Sequence, residues 1–119
     1  MALLAFWLAA AVAVVMALLP HPPELPSDRL GDKFHHILAF SVLAALALAA
    51  FPQASRWRIV ERLSFLGALI EVTQSIPALG RDCDIRDWVA DTLAVLVVVW
   101  LGSLLIGAAR RKSELPTEQ

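Results

Sequence analysis

The chain has 119 residues, 59% of them hydrophobic, with a mean hydropathy of +0.69 and a net charge of −1. That length makes one domain, and the apolar fraction exceeds the roughly 45–50% of ordinary soluble domains. The near-zero charge offers no basic surface for nucleic acid, no Walker or dinucleotide glycine motif is present, and the single cysteine, Cys83, excludes an internal disulfide and a cysteine-based metal site.

The apolar residues fall into four blocks, each close to the roughly 20 residues that span a bilayer. The expected fold is all-α, a polytopic membrane protein built as a four-transmembrane-helix bundle, with spans at about 3–19, 33–51, 58–76 and 85–109 and a polar tail at 110–119. The first block, Leu3 to Leu19, carries no charge. It lacks the basic n-region and the small-residue cleavage site of a signal peptide, so it reads as a retained helix. The four prolines between Pro20 and Asp32 forbid a helix there and predict an extended surface loop.

Asp32 is placed to N-cap the second helix. Lys33, His36 and Phe40 recur at i, i+3 and i+7 and share one face; His35 lies about 100° round from it. Ala45 and Ala49 form a small-xxx-small pair that permits close helix contact. After a short turn, Arg56, Arg58 and Arg62 open the third helix, where their expected role is topological. Trp57 and Trp88 read as interfacial anchors. Arg110, Arg111 and Lys112 close the fourth helix.

The polar stretch from Glu71 to Asp91 stands out between apolar neighbours: one Glu, four Asp, two Arg and a Gln in 21 residues. Glu71 and Gln74 share a helix face at i, i+3. Pro77 and Gly80 break that helix. Asp84, Asp87 and Asp91 share a face at the start of the next helix, where carboxylates suit the dipole and the unpaired N–H groups. A capped, charged turn accounts for any one of these acids. Glu71, Asp87 and Asp91 are harder to account for that way, because ionisable groups within spans are costly and face a protein or water interior. Counting back from Pro77 puts Glu71 roughly 9 Å below the helix end at 1.5 Å per residue.

Four spans put both termini and the 52–57 turn on one side, with six basic residues against four on the other. The positive-inside rule then places both termini in the cytoplasm. Asp32, Lys33, His36, Glu71, Gln74, Arg81, Asp84, Asp87 and Asp91 all crowd the opposite face, as the expected lining of an outward-opening polar pit.

The run DKFHHILAF from Asp32, then Glu71 and Gln74 as E-x-x-Q, then GRDCDIRDWVAD from Gly80 to Asp91, resembles the VanZ-like family of small bacterial membrane proteins. The resemblance covers nearly the whole chain after the first helix and rests on Asp32, Lys33, His36, Glu71, Gln74, Arg81, Asp87 and Asp91. The chain departs from the family pattern at Asp91, where Asn is frequent, and at Ala94, where a Gly is expected. The family's founding member is associated with resistance to the glycopeptide teicoplanin.

Three functions stay open at this point. A resistance-type membrane protein would bind a polar or phosphate-bearing cell-envelope ligand, lipid-linked or glycopeptide, with Lys33 and Arg81 meeting phosphate. A membrane-embedded enzyme would use the histidine and acids as acid and base, or to hold a divalent cation against a lipid-linked substrate. A purely structural cluster would only hold the helices together. No nucleophile motif accompanies these residues, no ligand spacing singles out a metal, and no cofactor is expected. The expected partners are membrane lipids, and a homodimer is compatible with four short spans.

Overall fold

The computed structural model describes residues 1–18, 32–79 and 84–115. They form four α-helices: α1 (Ala2–Leu18), α2 (Asp32–Ala50), α3 (Arg56–Gln74) and α4 (Ile85–Glu114), with a short 3₁₀ turn at Pro77–Leu79. No strand occurs among the described residues, so the all-α expectation holds.

The helix ends follow local chemistry. Ser55 caps α3, its hydroxyl accepting from the Arg58 N–H at 3.2 Å and satisfying a donor the helix cannot. Asp84 caps α4 in the same way through the Arg86 N–H at 2.9 Å. α3 stops at Gln74, two residues earlier than the sequence suggests, with Ser75 as its C-cap. Pro77 is the reason: the residue before a proline is pushed out of the α region, so the helix closes short of Ile76. Glu71 therefore lies about 4.5 Å from the end of its helix, half the depth anticipated. α4 runs five residues past its expected end at Ala109 and stops at Leu115, which is extended (φ −69°, ψ 132°) before Pro116. Arg111 and Lys112 in its last turn suit the negative end of the helix dipole.

The helices alternate in direction. Phe6 near the start of α1 meets Phe51 just after α2, edge to face at 5.2 Å. At the other end, the C-terminal turns of α1 and α3 meet: Gln74 Nε2 donates to the Ala17 carbonyl at 2.8 Å. α2 and α4 run parallel to each other and make the most extensive helix–helix contact. Phe40, Leu43, Ala44, Ala47, Leu63 and Val95 are buried in the middle of the bundle.

The close approach on α2 does not use Ala45 and Ala49, which point outward. Ala44 and Ala47 are the buried small residues instead. On α4 the tight contact is at Gly102, where a Cβ would run into Leu48 Cδ1.

The outside of the bundle is apolar. Trp7, Phe65, Val97, Trp100 and Leu105 are all more than half exposed. By length and composition α4 alone qualifies to cross a bilayer; α1 and Phe34–Ala50 are shorter apolar helices. α3 is interrupted by five ionisable residues: Arg56, Arg58, Glu61, Arg62 and Glu71.

Candidate functional site: a histidine among three buried carboxylates

One end of this bundle collects the buried charged side chains of the described residues. The first turns of α2 and α4 and the last turn of α3 meet there. His36 comes from α2, Glu71 from α3, Asp87 and Asp91 from α4. Glu71, Asp87 and Asp91 are 5%, 6% and 0% exposed. Unpaired charges at such burial would cost several kcal/mol each, on the order of the penalty for removing an ion from water. The contacts among them are therefore what makes the site tenable.

His36 is the hub. Its Nδ1 lies 3.3 Å from Asp91 Oδ2, and its Nε2 lies 3.9 Å from Asp87 Oδ2. With Asp91 ionised and so able only to accept, the Nδ1 side carries the hydrogen and donates to it. The Nε2 side faces Asp87 at a distance too long for a hydrogen bond. Glu71 turns one oxygen, Oε2, to the backbone N–H of Asp84 at 3.1 Å. That bond ties the start of α4 to the end of α3.

The floor of the site is stitched by neutral groups. Trp88 Nε1 donates to the Ser64 carbonyl at 2.9 Å, and the Ser64 and Thr92 hydroxyls share a hydrogen bond at 2.9 Å. Trp88 thus helps fasten α4 to α3 and is not simply an interfacial anchor. Gly67 leaves room beneath: a Cβ there would stand 3.3 Å from Trp88 Cδ1, 3.4 Å from Asp91 Oδ2 and 3.5 Å from Phe40 Cζ. These positions carry a sequence signal that is easy to pass over. Ser64, Gly67, Glu71 and Gln74 repeat at i, i+3, i+7 and i+10, and Trp88 and Thr92 at i, i+4, each set on one helix face.

The nine residues singled out from the sequence separate into groups. His36, Glu71, Asp87 and Asp91 converge. Asp84 sits beside them: its carboxylate caps α4, and its N–H donates to Glu71. Gln74 is buried at 2% and turns its amide N–H to α1. Asp32 opens α2 from within its first turn rather than from the capping position; its side chain, that of Lys33, and the whole of Arg81 and Cys83 lie outside the described residues. His35 lies against the ring of Phe34 at 6.1 Å.

Two buried oxygens near the centre have no hydrogen-bond partner among the described residues: Asp91 Oδ1 and Gln74 Oε1. Buried acceptors left in this state are uncommon in folded proteins and call for a ligand, a water or an ion. Chemically, the site can take up a cation, relay a proton through the Asp91–His36 pair, or hold a polar group against its acceptors.

None of the protein families, curated proteins and solved structures compared with this chain matches it.

Proposed function

We propose that the chain is a VanZ-like inner-membrane protein, a bundle of four transmembrane helices with both termini in the cytoplasm. The buried polar site at its extracytoplasmic end binds a polar, phosphate-bearing cell-envelope ligand, with a link to glycopeptide resistance implied by the resemblance alone. The exposed apolar belt supports the membrane reading, because Trp7, Phe65, Val97 and Leu105 have nowhere to go in water. α1 to α3 are about 25–28 Å long, near the thickness of a hydrocarbon core, and α4 at about 45 Å exceeds it.

The single observation that carries the functional reading is the convergence of His36, Glu71, Asp87 and Asp91 from three helices at one end of a bundle whose buried core is otherwise apolar. A bundle that needed only packing would fill those positions with leucine or alanine at less cost. Ionisable residues kept at such a place face a functional interior. The Asp91–His36 pair also favours a second reading, a membrane-embedded acid/base enzyme, since a carboxylate that fixes an imidazole's tautomer is a recurrent catalytic arrangement.

Native mass spectrometry of the chain extracted from its own membrane in mild detergent tests the binding reading. The wild-type protein is expected to carry a phosphate-bearing lipid or precursor that Glu71→Gln and Asp87→Asn variants lose while remaining helical. Identical adducts on wild type and variants, or none on either, would overturn it.

A further inference from the structure

The three carboxylates and one imidazole make a donor set that suits a metal ion better than it suits an anion. A nitrogen or oxygen atom from each of His36, Glu71 and Asp87 lies within 4.8 Å of the other two. Ligand atoms around a tetrahedral Zn²⁺, with bonds of about 2.0–2.2 Å, stand about 3.3–3.6 Å apart. Drawing three side chains in by roughly an ångström or less closes that gap, which is within rotamer adjustment for a glutamate and an aspartate at helix ends.

The hydrogen-bonding of His36 gives the second, independent support. Its Nδ1 is committed to Asp91 at 3.3 Å, which leaves the Nε2 lone pair directed to the side where Asp87 stands at 3.9 Å. Metal-ligating histidines are held in this way: one ring nitrogen donates to a carboxylate and the other meets the ion. Asp91 itself is fully buried and retains an oxygen, Oδ1, with no partner among the described residues. Gln74 Oε1, one turn on from Glu71, is a further buried neutral acceptor with no such partner.

We propose that His36 Nε2, Glu71 and Asp87 bind a divalent transition-metal ion, with Asp91 as the positioning residue behind His36. The imidazole excludes a Ca²⁺ or Mg²⁺ preference, since those ions take oxygen ligands. The absence of a thiolate among the three disfavours Cu⁺, and Zn²⁺ or Mn²⁺ fits the mixed nitrogen and oxygen set. Three protein ligands leave a coordination position open, as sites that bind an exogenous ligand do. The site stands on its own geometry, apart from the ligand reading above, yet it supplies that reading with positive charge among the acids. The competing source of that charge is the chain's own Lys33 or Arg81.

The experiment is metal analysis of the full-length chain in detergent, after equilibration with Zn²⁺ or Mn²⁺ and removal of free metal, with Co²⁺ substitution followed by visible absorption. The wild type is expected to retain one ion per chain and to give a Co²⁺ spectrum with a nitrogen and oxygen ligand field. Glu71→Gln and Asp87→Asn should abolish retention. Asp91→Asn keeps all three ligands and should weaken binding by about 10–100-fold, as changes behind a ligating histidine do. Circular dichroism of each variant separates lost metal from lost fold. A wild type that retains no ion, or variants at Glu71 and Asp87 that retain as much as wild type, would overturn the proposal; so would an Asp91→Asn variant with unchanged affinity.

Discussion

Replacing His36 with alanine and Asp91 with asparagine should have very unequal costs, although the two residues form one contact. Asp91 is 0% exposed and its His36 partner only 10% exposed at the side chain. Removing the imidazole strands a carboxylate that cannot reach water, and breaking a buried pair from one side costs about 3–5 kcal/mol. Asp91→Asn keeps a carbonyl oxygen for the Nδ1–H to donate to. It loses only the difference between a charge-assisted bond, about 1.5–3 kcal/mol, and a neutral one, about 0.5–1.5 kcal/mol, so roughly 1 kcal/mol. The double substitution His36→Ala/Asp91→Ala removes the stranded charge and should cost less than the two alanine singles together, with an interaction energy of about 1–3 kcal/mol. The assay is reversible unfolding in mixed micelles, with EDTA present so that metal plays no part, followed by helicity. A His36→Ala variant no less stable than Asp91→Asn, or singles that simply add, would mean that the pair is not the buried contact described here.

Gly102→Ala should change stability by less than about 1 kcal/mol, because the new methyl meets only Leu48 Cδ1, the tip of a side chain that can turn aside, and alanine gains about 1 kcal/mol over glycine within a helix; a loss of about 3 kcal/mol on thermal melting in detergent would show that Leu48 cannot yield. In whole spheroplasts a membrane-impermeant thiol reagent should label Cys83, and labelling only in inverted vesicles would reverse the proposed orientation.

The sequence carried the helices and much of the site, for a physical reason. Glu71, Asp87 and Asp91 are charges in apolar surroundings, and spacing alone puts each on a single helix face. His36 follows from its place one face away from His35. What spacing cannot show is how a side chain divides itself between competing partners. Asp84 shares the face of Asp87 and Asp91 in projection, but at the first position before a helix the unpaired Arg86 N–H wins its carboxylate. Gln74 shares the face of Glu71, but the open carbonyl at the end of α1 claims its amide. Both outcomes depend on which helix ends meet in space. α3 ends two residues early because Pro77 acts on the residue before it, while α4 runs five residues further than expected and stops only at Leu115, before Pro116. The outward turn of Ala45 and Ala49 shows the limit of a small-residue pattern in a chain where alanine is everywhere.

The bond from Gln74 to the Ala17 carbonyl spans 57 residues of chain, and the His36–Asp91 contact spans 55. Synthesis proceeds at about 5–20 residues per second, so each partner waits on the order of 3–11 seconds for the other to be made. During that interval α1 has no anchor at its far end, and His36 sits in an unfinished bundle without its carboxylate. The polar centre is therefore among the last parts of the molecule to be completed, after α4 has been made. Until then the earlier helices must be kept from committing to other partners, which makes the interval between the second and fourth helices the most vulnerable stage in the life of this chain.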